Sequence, residues 1–90
     1  MIIDQEKFDE IVLALLYYNS WTEKAGKFSE VRAWKSMDWD ALSRLYEKDL
    51  IGDPKSKAKS VFMTEEGYTR AKELFERHFC EEEDPENAKK

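Results

Sequence analysis

The stretch Leu42-Ser43-Arg44-Leu45-Tyr46-Glu47-Lys48-Asp49-Leu50-Ile51, followed ten residues later by Val61-Phe62-Met63-Thr64-Glu65-Glu66-Gly67, contains the changes of period from which the fold is read. Leu42, Leu45 and Tyr46 recur at helical spacing, together with Trp39 upstream, while Asp40, Ser43, Arg44 and Glu47 form the opposite, polar face. This helix starts near Asp38 and stops at Lys48 or Asp49. The apolar pair Leu50-Ile51 and the β-branched and aromatic Ser60-Val61-Phe62-Met63 read as two strands. Between them lie the turn residues Gly52-Asp53-Pro54 and a loop dotted with Lys55, Lys57 and Lys59. Thr64 then caps a closing helix whose buried face is Tyr68, Ala71, Leu74, Phe75, His78 and Phe79.

Upstream, Phe8, Ile11, Val12, Leu15 and Leu16 lie at i, i+3, i+4, i+7 and i+8, predicting an amphipathic helix over about 4–18 with Asp4 as its cap. Its other side is also apolar: Leu13, Ala14, Tyr17 and Tyr18 complete an eight-residue run from Ile11. Such an excess implies deep burial or a subunit interface. The segment from Asn19 to Ser29 shows no sustained period, contains Gly26 and is expected to hold a loop. Ser29 is a suitable cap for a short helix carrying Val31, Arg32 and Trp34. Residues 81–90, nearly all charged or polar, are expected to form a disordered acidic tail after a single domain over 1–80. The expected class is mainly α with a small β-hairpin (α+β), in the order α-α-α-β-β-α.

That order, with Leu45-Tyr46-Glu47-Lys48-Asp49-Leu50-Ile51 leading into a hairpin and Met63-Thr64-Glu65-Glu66-Gly67 opening the last helix, resembles the winged-helix proteins of bacterial transcription regulation. The resemblance implies a wing over Ile51 to Met63, a reading helix over about 38–48 and a left-handed backbone at Asp49, which stands where such families usually have Gly and tolerates that conformation better than most residues. Residues 3–79 also resemble a family of small bacterial proteins classed only as a domain of unknown function. The resemblance is carried by Ile11-Val12-Leu13-Ala14-Leu15-Leu16-Tyr17, Arg32-Ala33-Trp34-Lys35, Asp38-Trp39-Asp40-Ala41-Leu42 and Lys57-Ala58-Lys59-Ser60-Val61. It implies a bacterial origin and brings no activity with it.

Composition narrows the function classes. Aromatic residues are 13% of the 90, a rich supply of large side chains for a short chain, and one cysteine, Cys80, excludes an intramolecular disulfide. A cytoplasmic location is expected, since the N-terminus lacks a basic-then-apolar leader and the longest apolar run falls well short of the roughly 20 residues that span a bilayer. The net charge is −5, with 20 acidic and 15 basic residues. Residues 1–22 carry four acids and one base, residues 23–59 seven acids and nine bases, and residues 60–90 nine acids and five bases. A basic middle between acidic ends disfavours nucleic acid as the default partner without removing a local site.

Candidate nucleic-acid contacts are Arg32, Lys35, Arg44, Lys55, Lys57 and Lys59, the lysines at alternate positions being suited to phosphates. Against this, Asp40 and Glu47 would face the duplex from the reading helix, and lysines on a hairpin also serve to keep its edges unpaired. Candidate partner or dimer contacts are Leu13, Tyr17, Tyr18, Trp21, Trp34 and Trp39, because large aromatic residues concentrate in binding hot spots when they are not in the core. His78 and Cys80 have the wrong helical spacing and too few companions for a metal centre. Asp38 and Asp40 are better read as a cap and a first-turn acid than as an acid–base pair. No catalytic residue, metal or cofactor is assigned. The expectation is a non-catalytic interaction or regulatory module, a homodimer through helix 4–18 and the closing helix or the binder of a small protein partner; the alternative is a winged-helix DNA-binding regulator using the lysine-rich wing.

Overall fold

A computed structural model describes residues 1–25, 28–35 and 37–80. The elements are α1 (Gln5–Tyr18), β1 (Ser20–Ala25), β2 (Phe28–Trp34), α2 (Trp39–Glu47), β3 (Ser60–Met63) and α3 (Glu65–Phe79). The strands form one antiparallel sheet in the order β1-β2-β3. The fold is α+β in the order α-β-β-α-β-α, so the expected α-α-α-β-β-α order, and with it the winged-helix reading, does not hold. The expected loop over 19–29 and short helix over 29–34 are instead two long strands. Ala25 pairs with Phe28, leaving only two residues between them. The second half of the expected wing is present as β3, but its main partner is β2. The first half is reduced to one bridge, Ile51 to Met63. The acidic tail over 81–90 lies outside the described residues.

The strands were hidden because β2 is apolar on both sides. Val31 and Ala33 point inward beside Met63 and Val61, their partners on β3, while Trp34 points outward and breaks the inside–outside alternation that marks a half-buried strand. Read at helical spacing, Val31 and Trp34 mimic one face of a turn.

Helix α1 begins as expected, with the Asp4 carboxylate accepting from the Lys7 amide at 3.1 Å. It lies at the centre of the molecule, with α3 and α2 packed on it and β2 beneath. That position explains the long apolar run. Leu13 is 1% exposed, and Val12, Ala14 and Leu16 are likewise in the core with Ala33, Leu42, Leu45, Val61, Met63, Ala71 and Leu74. The buried stripe is turned by about one residue from the expected one: Phe8 is exposed and Asp9, in its place, is 3% exposed. A buried carboxylate needs a charged partner. Arg44 of α2 supplies it, donating from Nε to Asp9 Oδ2 at 2.6 Å and from Nη2 to Oδ1 at 2.8 Å. This bidentate bond raises the Arg44 pKa above its ordinary value, outweighing the opposing effect of desolvation.

The junction of α2, β3 and α3 is a tight knot. Asp49 has φ of 60°, the left-handed backbone that the resemblance implies at this position. The Leu50 amide donates to Leu45 O at 3.0 Å and the Asp49 amide to Tyr46 O at 2.9 Å, the pair of bonds of a Schellman cap. Thr64 Oγ1 accepts from the Gly67 amide at 2.9 Å and shares its proton between the Asp49 and Leu50 carbonyls at 2.8 and 3.1 Å. Gly67 is buried against the Leu50 carbonyl, which a Cβ at 67 would overlap. The T-x-x-G pattern therefore encodes a cap together with a close backbone approach.

Two outcomes follow for equilibrium denaturation. Gly67→Ala should lose about 3 kcal/mol or more of stability, because backbone rather than a movable side chain blocks the new methyl group. Asp49→Gly should gain about 1 kcal/mol by relieving the left-handed residue; a loss in that variant would show that the Asp49 side chain contributes more than its backbone strain costs.

Candidate functional site

The sheet has two unlike faces. The inner one packs on α1 through β2, while Thr22 and Lys24 of β1 stay exposed. On the outer one, register brings Trp21, Arg32 and Phe62 side by side across β1, β2 and β3, since Arg32 pairs with Trp21 on one side and with Phe62 on the other. Trp34, two residues along β2, packs on Trp21 with ring centroids 4.7 Å apart at 41°. Trp34 is 52% exposed and Phe62 38%, whereas Trp21 is half-buried by its neighbours. Cross-strand aromatic pairs of this kind stabilise a sheet. The exposed ring area exceeds what such pairing requires.

Arg32 is fixed in the middle of the patch. Its Nε donates to Ser60 Oγ at 2.8 Å, Nη2 to Ser60 O at 3.1 Å, and Nη1 to Glu30 Oε1 at 3.2 Å. Its planar guanidinium is held among the rings with N–H groups left over. Glu23 and Glu30, paired across β1 and β2, lie on the same face towards the β1–β2 connection. Exposed Lys55, Lys57 and Lys59 lie in the connection leading into β3, at the other end. The patch is apolar at its centre and acidic at one end; Lys59, opposite Lys35 at the other end, has the inward parity of Val61 and Met63.

Three of the six candidate nucleic-acid contacts are engaged within the chain. Arg32 is tied to Ser60 and Glu30, and Arg44 to Asp9. Lys35 Nζ donates to the Pro54 and Ser56 carbonyls at 2.7 and 2.6 Å, pinning the α2–β3 connection, and stands 5.8 Å from the centroid of Trp39. Lys55, Lys57 and Lys59 remain exposed. Of the candidate partner contacts, Leu13 is in the core and Tyr17 half-buried, while Tyr18, Trp34 and Trp39 are exposed. Tyr17 belongs to an aromatic ladder with Tyr68 and Phe75, at centroid distances of 5.4 and 5.5 Å. Burial, and then the Tyr68 hydroxyl, raise its pKa above the usual tyrosine range. Phe62 was missed by the sequence reading. With β3 assigned to a hairpin, nothing placed it beside Arg32 and Trp21.

A second concavity, of about 330 Å³, opens between α1, the end of α2 and α3. Its floor is Leu13, Leu45, Leu50 and Leu74, and its rim mixes Glu6, Glu10 and Glu73 with Lys48, Arg70 and Arg77. His78 Nε2 is 3.8 Å from Glu10 Oε2 with no hydrogen-bond partner among the described residues, and Cys80 is exposed. Among the described residues no group of three His, Cys, Asp or Glu side chains could hold a metal ion, and no helix is long and apolar enough to cross a membrane.

Comparison with known proteins gives a consistent placement without an activity. Over 79 residues the chain is 44% identical to the uncharacterized protein y4hR of Sinorhizobium fredii (strain NBRC 101917 / NGR234), covering 88% of this chain and 97% of that bacterial relative. No solved structure matches. Residues 4–81, which include every helix and strand described above, match the domain of unknown function DUF6429, and the chain belongs to that family.

Proposed function

We propose that this chain is a small non-catalytic binding module that docks on another protein through the outer face of its sheet. The observation that carries the reading is Trp34, half exposed on a sheet face that no described helix covers and braced by Trp21. Apolar patches of this kind mark interaction sites, and Trp and Arg in a rigid setting are the residues most often dominant in binding energy. Strands hold them more firmly than loops would, so little side-chain freedom is lost on association.

The charge pattern defines the partner's chemistry. A complementary surface offers an apolar centre, a carbonyl or carboxylate for the spare N–H groups of Arg32, and basic groups towards Glu23 and Glu30. Such a mixed pattern suits a protein. A nucleic-acid backbone, uniformly negative, would meet Glu23 and Glu30 on the same face, with Arg32, Lys35 and Arg44 already engaged.

The test is capture of partners from the native cell with tagged wild type and a Trp34→Ala/Phe62→Ala variant, each with and without nuclease, followed by titration of the purified partner. The reading expects a nuclease-resistant protein that the variant no longer retains, with Trp34→Ala alone weakening the purified partner at least about thirtyfold. Helical circular dichroism should stay unchanged, since both rings lie outside the core. Retention of the same partner by the double variant, or retention abolished by nuclease, would overturn it.

A further inference from the structure

The two edges of the sheet differ. On the β3 side, Gly52 donates to Phe62 O at 2.7 Å and Thr64 donates to Leu50 O at 3.1 Å, so the segment around Ile51 covers that edge. On the β1 side no described residue pairs with the strand.

Backbone parity shows which groups that open edge presents. The Lys35 amide donates to Lys59 O at 3.1 Å, continuing the β2–β3 register, so Lys35, Ala33 and Val31 turn their N–H and C=O groups towards β3. Polar groups alternate sides along an antiparallel strand. Arg32 and Glu30 therefore bond to β1, through Trp21 and Glu23, and it is Ser20, Thr22 and Lys24 whose N–H and C=O groups point away from the sheet. Thr22, Glu23 and Lys24 are exposed, and the strand contains no Pro or bulge to block pairing.

We infer that β1 pairs with β1 of a second copy of this chain, antiparallel about a two-fold axis through Thr22. Keeping both sheet faces aligned requires that facing residues share parity, which leaves two registers with five-residue overlap. One centres on Glu23 and sets like charges directly opposite each other, an unfavourable arrangement. The other centres on Thr22, with Trp21 opposite Glu23 of the second copy and Ser20 opposite its Lys24. In that register the facing residues Thr22/Thr22, Ser20/Lys24 and Lys24/Ser20 are the ones with outward backbone groups, giving about six new hydrogen bonds. The interface is self-complementary, as a two-fold requires. It joins the two outer faces into one six-stranded surface carrying both Trp21–Trp34–Phe62 patches. This inference stands on the open edge of β1 and the charges along it, and does not depend on the outer face binding a partner.

The experiment combines light scattering during size exclusion with cysteine crosslinking. The wild type is expected at twice the 10.7 kDa chain mass. Thr22→Pro removes an N–H that no intrachain bond uses, so it should give a folded monomer with unchanged circular dichroism. In a Cys80→Ser background, Thr22→Cys should form an intermolecular disulfide on mild oxidation and Glu23→Cys should not. A wild-type monomer at every concentration, a folded Thr22→Pro dimer, or preferential crosslinking at Glu23→Cys would each overturn the inference. Should Thr22→Pro fail to fold, the cysteine pair decides.

Discussion

The structure depends on β2 being a central strand. Both of its edges are hydrogen-bonded, so its position fixes β1 on one side and β3 on the other, and its period of two assigns every side chain to one of two faces. Val31 and Ala33 go under α1. Arg32 and Trp34 go outward. A slip of one residue would put the Arg32 guanidinium and the Trp34 indole into a core lined by Leu16, Val61 and Met63, so the apolar content of the inner face protects the register as well as stabilising it.

Helix α1 answers the same constraint from the other side. Packed between the sheet and the other two helices, it is apolar around most of its circumference, and the one carboxylate that its orientation buries, Asp9, is met in a bidentate grip by Arg44 of α2. A lone buried carboxylate there would oppose folding. The pair instead ties the angle of α1 to the position of α2, and thereby to the Leu50–Gly67 contact at the far end of α2.

The features legible in the sequence are those whose cause is local. Asp4, Asp38 and Thr64 cap the helices that were read from them, and Asp49 adopts the left-handed backbone that the winged-helix resemblance implies. The Asp49-Leu50-Ile51 and Thr64-Glu65-Glu66-Gly67 patterns were rightly tied to a helix end and a helix start. They say nothing about what β3 pairs with, and so the likeness to a winged helix was local and did not extend to the fold. The illegible part was long-range. Strand β2 places Arg32 and Trp34 outside and the smaller apolar Val31 and Ala33 inside, an inversion that only the tertiary position of α1 explains. Residue type alone singles out Trp21 and Trp34, but the sequence presents Arg32 as a phosphate contact and gives no sign of Phe62, because their adjacency exists only across three paired strands.

The measurement that reaches the centre of this account is a nuclear magnetic resonance study of residues 19–34. The alternation derived above makes Ser20/Ala33 and Thr22/Val31 the non-hydrogen-bonded pairs of the β1–β2 ladder, where the Cα atoms approach to about 4.5 Å. Strong Hα–Hα cross-peaks are expected for those two pairs, together with indole contacts between Trp21 and Trp34. Helical contacts between residues three apart over 29–34, with no cross-peaks to 20–22, would contradict it.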